Sequence, residues 1–550
     1  MRLKGLARNS LEATDEPDLE RILPMLPPLV GYTFVGDPDS KLKAIVEPDG
    51  KIGPPPEPSF DPTRYLDLPE PPTEVKHDLV DDLPIPRLLF LDREGELIFE
   101  EIALVEGEDL FVMLRSVEKG SVALKLLPSF SHISPDEFEA ALGRVRDRWE
   151  NLFDEAMRLE IPDPLLKRAC RVAIARALSA CIGPHPKYGV RRYAEGRHDS
   201  FPPATLSLVL CLLEWGLFDE AKRRLTYYLD RFVNSDGSFD YYGPAISEYG
   251  QMLSLATRVY RLTRDGRWLR DVLPELERIA AFLLRWPERD ENGLLTGPAE
   301  ADTFETHRMS FFSGNLWSVR GLLDLARILA DSNPDQAKEI ERFACQLLEK
   351  TLQIIRRSVD ESVTPPFVPP APGVKPFERM TQDTFASYTN YRYWPEMLSS
   401  GLLPPEICDY ILDYRALHGG ELLGMTRFMD WLDDWPLAHL AFGLLLRGRR
   451  RKFLTALYAH LVHHQAVGTL TAYEQVSIEA DAHRKPMADF CLPSQLVVPI
   501  MVKWAIVFEM VPRKWLEEGF SAIGVPTESG IVDISASNAD GGLTRGSSGI

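Results

Sequence analysis

Carboxylates, guanidinium groups and aromatic rings gather in a few loops of this 550-residue chain, and those residue types suit a polyhydroxylated ligand. The loop Tyr188-Gly-Val-Arg-Arg-Tyr-Ala-Glu-Gly-Arg-His-Asp199 sets Arg197, His198 and Asp199 side by side. A carboxylate accepts and a guanidinium donates in fixed geometry, so the pair can grip two or more hydroxyls. Asp199 capping the next helix beside an arginine is an equally good reading. Farther on, Gly297-Pro-Ala-Glu-Ala-Asp-Thr-Phe-Glu305 places three carboxylates, Glu300 and Asp302 among them, within six residues. Crowding or burial raises a carboxyl pKa, which makes either one a candidate general acid. Glu474, in Gly468-Thr-Leu-Thr-Ala-Tyr-Glu-Gln-Val476, follows Tyr473 and is enclosed by uncharged residues, as suits a base or a nucleophile.

Aromatic residues supply the second theme. Phe239-Asp-Tyr-Tyr-Gly-Pro-Ala-Ile-Ser-Glu-Tyr249 groups three tyrosines with Glu248, and Tyr249 is a candidate for a stacking wall. Arg427-Phe-Met-Asp-Trp-Leu-Asp-Asp-Trp435 brings Trp431 and Trp435 beside Asp430, Asp433 and Asp434, offering a stacking face and hydroxyl acceptors together. Tyr391, Arg392 and Trp394 extend the same rim. His463 and His464 end a helix, while His439 and His483 lack ligand spacing, so these histidines read as capping or packing groups. No metal ligand set and no cofactor are expected. There is no GxSxG elbow, Walker loop or GxGxxG.

Helices must position these loops. Segments 164–181, 203–216, 218–234, 247–263, 267–286, 313–331, 334–357, 383–400, 404–418, 434–447, 449–464 and 493–509 read as helical. Most carry apolar residues at i, i+3, i+4 and i+7, as in Leu206, Val209, Leu210 and Leu213. Links as short as Leu217 or Gly448 make antiparallel hairpins, whereas the links entering every second helix are longer and carry the loops above. The expected fold is therefore mainly α: an (α/α)6 toroid of six helical hairpins with a small N-terminal β region. The expected divisions are an irregular Pro- and acid-rich segment (1–84), a four-stranded β region (85–132), a linker helix (133–160), the toroid (161–511) and an irregular tail (512–550).

Composition narrows the partners. A net charge of −20 leaves no basic stripe to release phosphate counterions, which excludes nucleic acid as a partner. No apolar run is long enough to span a bilayer and the start lacks a signal-peptide core, so a soluble, cytoplasmic protein without a membrane partner is expected. The six cysteines are far apart without CxxC spacing and read as buried thiols. The broad outer surface of a toroid allows a homodimer.

The order of motifs resembles that of the six-hairpin glycosidases, the (α/α)6-barrel group of glucoamylases, amylo-α-1,6-glucosidases and α-L-rhamnosidases. The resemblance rests on Arg197-His198-Asp199 followed by Leu217-Phe-Asp-Glu-Ala-Lys222, on Gly297-Pro-Ala-Glu-Ala-Asp302 followed by Asn315-Leu-Trp317, and on Glu474 followed by Cys491-Leu-Pro-Ser-Gln495. It implies an exo-acting glycoside hydrolase that removes a terminal sugar from an oligosaccharide or glycoside. In the inverting mechanism so implied, Glu300 or Asp302 protonates the leaving oxygen and Glu474 activates water, with the carboxyls roughly 6.5–9.5 Å apart. Which of Glu300 and Asp302 is the acid stays open, because neither has the tryptophan neighbour usual in that group. The resemblance further implies that Arg197, His198 and Asp199 orient the sugar, with Tyr249, Trp317, Trp394, Asp430, Trp431, Trp435 and Tyr473 along the subsites. The alternatives are a uronate lyase on the same toroid, with a Tyr or His base near an arginine such as Arg308, and a noncatalytic glycan-binding protein.

Overall fold

A computed structural model describes residues 27–68, 70–241, 245–298, 307–478, 483–537 and 543–547. Two antiparallel sheets come first. Strands Thr33–Gly36, Lys43–Val46 and Ile52–Gly53 form one, and Glu74–Leu79, Pro86–Leu91, Leu97–Glu106, Asp109–Ser116, Gly120–Leu127 and Ser131–Ile133 form the other as a meander. They share a core that includes Val35, Val46, Ile52, Phe90, Phe99 and Val112. Helix α1 (Pro135–Asp154) packs on the larger sheet, and its Ser134 cap accepts from the Glu137 amide at 3.1 Å.

These strands correct two expectations. The stretch 27–84 is not irregular throughout, and the meander has six strands rather than four. Its extra members, Glu74–Leu79 and Ser131–Ile133, are short edge strands rich in polar residues. Their backbones are satisfied on one side only, so they carry little of the alternation by which a strand is recognised. The tail is also not irregular: Phe520–Thr527, Gly530–Ala536 and Leu543–Ser547 form a sheet with Arg158–Glu160.

The helices that follow are α2 (Pro164–Ser179), α3 (Pro202–Glu214), α4 (Phe218–Phe232), α5 (Ile246–Thr263), α6 (Gly266–Leu284), α7 (Phe312–Leu329) and α8 (Pro334–Ser358). A segment made of Thr384–Tyr388, a π turn at Thr389–Tyr393 and the helix α9 (Trp394–Ser399) comes next. Helices α10 (Pro405–Leu417), α11 (Leu437–Leu446), α12 (Arg450–His464) and α13 (Leu492–Val507) complete the series. Packing sorts them into two sets. Helix α3 packs on α5, α5 on α7, α7 on α9, α9 on α11, α11 on α13, and α13 returns to α3. Most of the others lie outside this cycle, as α4 does against α3, α8 against α7 and α2 against α13.

The sequences of the two sets explain the sorting. Helix α4 buries one stripe, Ala221, Arg224, Leu225, Tyr228, Leu229 and Phe232, and leaves its other faces polar. Helices α3 and α13 are buried on nearly every side, as apolar helices enclosed by neighbours must be. Where α5 meets α7 the backbones touch: a Cβ added to Gly321 would lie 2.3 Å from the Gly250 carbonyl oxygen. Buried charges inside the cycle are paired, with Arg392 Nη2 2.6 Å from Glu248 and its Nε 3.2 Å from Glu396. Five cysteines are buried as free thiols, whereas Cys345 on α8 is exposed. Among the described residues no helix is long and apolar enough to cross a membrane.

Candidate active site

The connections that enter α3, α9, α11 and α13 converge around a cavity of about 720 Å³. Tyr193 and Arg191 come from the first, Tyr388 and Tyr391 from the second, Phe428, Trp431 and Asp433 from the third, and Glu474 and Asp489 from the fourth. Tyr32, from the N-terminal segment, joins them. A small sheet fixes two of the walls, because the strand Trp431–Asp433 pairs with both Met425–Phe428 and Gln475–Ser477.

Glu474 presents a carboxylate clamped by two phenols. The Tyr188 hydroxyl donates to its Oε1 at 2.8 Å, and the Tyr193 hydroxyl donates to its Oε2. Its backbone is fixed as well, since His464 Nε2 donates to the Glu474 carbonyl at 3.0 Å and the Glu474 amide donates to the Asp489 carbonyl at 3.1 Å. Burial first, and then the Glu474 charge, pushes the Tyr193 phenol well above its ordinary range, so it remains a donor. Tyr188 is shifted upward in the same direction, with burial as the main cause.

Asp489 organises the loop that carries Tyr193. Its Oδ2 accepts from the amides of Arg191 at 3.0 Å and Tyr193 at 3.1 Å, and the Tyr32 hydroxyl donates to Oδ1. Burial outweighs these donors and pushes the Asp489 carboxyl up to about 6. The guanidinium of Arg191 lies 4.5 Å from the Tyr32 ring centroid and pairs with Glu47. Asp433 is buried and accepts from Gln475 Nε2 at 2.9 Å.

The residues named from the sequence fall in several places. Glu474 and Trp431 line the cavity. Asp430 is exposed at the turn before Trp431. His198 lies behind the Glu474 clamp, its ring 5.9 Å from Tyr188 and 5.3 Å from Tyr193. Asp199 forms an ion pair with Lys187 and does not line the cavity. Arg197 sits in the short helix Gly196–His198, and its side chain lies outside the described residues. Glu300 and Asp302 also lie outside them.

Five aromatic residues expected along the subsites are elsewhere. Tyr249 is buried and stacked on Phe239 with centroids 4.1 Å apart, while its hydroxyl accepts from the Phe239 amide at 3.2 Å. Trp394 is buried and donates to the Val368 carbonyl at 3.0 Å. Tyr473 is buried and donates to the Tyr32 carbonyl. Trp317 and Trp435 line a second cavity, of about 150 Å³, enclosed by the cycle of helices. Trp435 also meets Tyr391 edge-on, with centroids 5.9 Å apart, and so touches residues of both cavities. In each case an apolar ring with one polar atom found a buried partner, the commonest fate of large aromatics. Arg392, read as part of the rim, is likewise buried.

Reading by residue type missed Tyr188, Tyr193, Asp489 and Tyr32 as members of the site. The signal for the first two was the loop Tyr188–Tyr193 itself, but its contact with Glu474 spans more than 280 positions. His460 was missed as well: it sits one turn before His464 on α12, and both approach Asp434.

Comparison with solved structures finds fold likeness at low identity. A bacterial glucoamylase complexed with acarbose is 10% identical, with 80% of this chain and 85% of that chain covered, at a TM-score of 0.51. A GH78 family rhamnosidase of Bacillus sp. GL1 is 14% identical, covering 71% of this chain and 41% of that chain, at a TM-score of 0.49. A rhamnosidase from Klebsiella oxytoca with rhamnose bound is 11% identical, covering 89% and 99%, at a TM-score of 0.47. These structures belong to the six-hairpin glycosidases, the group whose motif order this sequence resembles. No family model and no curated protein matches the chain.

Proposed function

From the fold it shares with a glucoamylase, we propose that this chain is a glycoside hydrolase whose helices form an (α/α)6 toroid of six hairpins over 161–511. In this reading α3, α5, α7, α9, α11 and α13 are the inner ring, which their closed order of packing supports. The two sheets that precede α1, together with that helix, form an N-terminal accessory region. The enzyme acts on the end of an oligosaccharide or glycoside, with the terminal sugar in the large cavity against Trp431 and Tyr391.

One observation carries the reading: Glu474 lies on the wall of an aromatic-lined cavity with both carboxylate oxygens held by neutral phenols. A carboxylate is acceptor-only, and two hydroxyl donors orient it without cancelling its charge. It is then poised to take a proton from water as the water attacks the anomeric carbon. The proton for the leaving oxygen comes from Glu300 or Asp302, on the loop that enters α7, and inversion follows if a water fits between the two carboxyls. Arg197 orients the sugar from the loop entering α3.

A lyase would need a phenolate or imidazole base. Burial first, with the Glu474 charge adding to it, shifts Tyr188 and Tyr193 upward, away from the phenolate form.

The decisive assay is a panel of aryl glycosides of neutral sugars, deoxysugars and uronic acids, run with wild type and Glu474→Gln. Hydrolysis by wild type, lost in the variant, is the expected result, with an inverted anomer as first product by NMR. An unsaturated, ultraviolet-absorbing product would move the assignment to a lyase, and binding without turnover by wild type would leave a glycan-binding protein.

A further inference from the structure

Beneath Glu474 two histidines and an aspartate converge. Helix α12 sets His460 and His464 one turn apart, and Asp434 reaches them from the segment entering α11. One nitrogen of each histidine and one Asp434 oxygen all lie within 4.8 Å of one another, and the three side chains are fully buried.

The hydrogen bonds around them assign the protons. His460 Nε2 is 3.0 Å from the Ser494 carbonyl, which can only accept, so that nitrogen carries the hydrogen. In a neutral ring His460 Nδ1 is then a lone pair, and it faces Asp434 Oδ2 at 3.0 Å. The other oxygen, Oδ1, is occupied by the Thr426 amide at 3.0 Å. His464 Nε2 donates to the Glu474 carbonyl at 3.0 Å, which leaves Nδ1 of a neutral His464 as a second lone pair. That atom is buried and has no hydrogen-bond partner among the described residues. Acceptors gathered out of water repel unless positive charge stands among them.

We propose that Asp434, His460 and His464 form a buried site for a divalent transition-metal ion of the zinc class. Two neutral imidazoles and a carboxylate are the donor set such an ion takes. The outer ring nitrogens are arranged as metal-binding histidines need, each giving its N–H to a backbone carbonyl, Ser494 for one and Glu474 for the other. A single proton shared between His460 and Asp434 is the competing occupant. It satisfies that pair but leaves His464 Nδ1 bare, whereas a metal ion engages all three groups. Because His464 also holds the Glu474 carbonyl, the ion would brace the backbone of this segment. The site stands on its own donor set and does not depend on the glycosidase assignment.

The test is elemental analysis of the full chain produced in zinc-supplemented medium and passed through gel filtration, with a parallel preparation in cobalt medium for its visible spectrum. About one equivalent of zinc, and cobalt d–d bands of nitrogen and oxygen ligation, are expected in wild type. The equivalent should vanish in His464→Leu and persist in His483→Ala, which alters an exposed histidine outside the cluster. Folded wild type that emerges metal-free from both media overturns the proposal in favour of the shared proton. So does a folded His464→Leu protein that keeps its full equivalent. Should that variant not fold, the wild-type metal content and the cobalt spectrum decide by themselves.

Discussion

Two regions of the molecule hold their carboxylates in opposite ways. Inside the cycle of helices, Glu248 and Glu396 are gripped by Arg392, and Glu214 by Arg258 and Lys503. At the mouth of the large cavity, Glu474 accepts from the hydroxyls of Tyr188 and Tyr193. The first arrangement neutralises charge and ties helices together, so these groups belong to the architecture. The second fixes position while leaving charge available to a reacting proton, so this group belongs to chemistry. Substitutions made in parallel at the two kinds of site separate the roles.

The largest effect should fall on activity at Glu474. We expect Glu474→Gln to lower kcat by about 10³-fold with an unchanged melting temperature, since only proton transfer is removed. Glu248→Gln should do the reverse. It removes one of the two carboxylates that grip the fully buried Arg392, leaving Glu396 alone, at a cost of about 1.5–3 kcal/mol in a denaturant titration, with residual activity tracking the folded fraction. A Glu474→Gln protein that melts early, or a stable Glu248→Gln protein, would erase the distinction.

The next effect probes the scaffold alone. Alanine usually stabilises a helix relative to glycine, by roughly 1 kcal/mol. At Gly321 the new Cβ would meet the Gly250 carbonyl oxygen at 2.3 Å, a backbone atom with nowhere to move. Gly321→Ala should therefore destabilise by about 1–3 kcal/mol, measured by chemical unfolding, as α5 and α7 are forced apart. A smaller change is expected at the clamp. Tyr193→Phe removes one of the two donors from Glu474, and we expect kcat to fall about tenfold with little change in KM. A larger change in KM than in kcat would instead make Tyr193 a binding group.

How far the sequence carried this picture follows from the same contrast. The outer helices were legible because a stripe such as Leu225, Tyr228, Leu229 and Phe232 on α4 is a local pattern, and the rims of the hairpins followed from link length. Strand Thr33–Gly36 was not, since four buried residues amid acidic and proline-rich chain leave no period to read. Aromatic residues misled in particular. Trp394 and Tyr249 have the same composition-level signature as Trp431, and only the packing of distant helices decides which ring meets a cavity and which meets a backbone carbonyl. Glu474 was legible as a carboxylate among uncharged neighbours, but its clamp was not, because Tyr188 and Tyr193 reach it across the whole domain.

A third environment completes the comparison. Glu101, in the strand Leu97–Glu106, is fully buried, and neither of its oxygens has a hydrogen-bond partner among the described residues. Lacking both the cation of Glu248 and the donors of Glu474, it stays protonated, with burial holding its pKa well above the glutamate range. The sign of the pH dependence follows. Below the ordinary glutamate pKa the carboxyl is protonated in both states, and wild type should match Glu101→Gln in stability. As pH rises past that value the unfolded chain releases its proton while the folded chain keeps it, so wild type loses stability relative to the variant. Unfolding curves at pH 5 and pH 8 should therefore diverge in favour of Glu101→Gln. A constant gap would mean that Glu101 ionises in place and draws a compensating charge, which would move it into the class of Glu248.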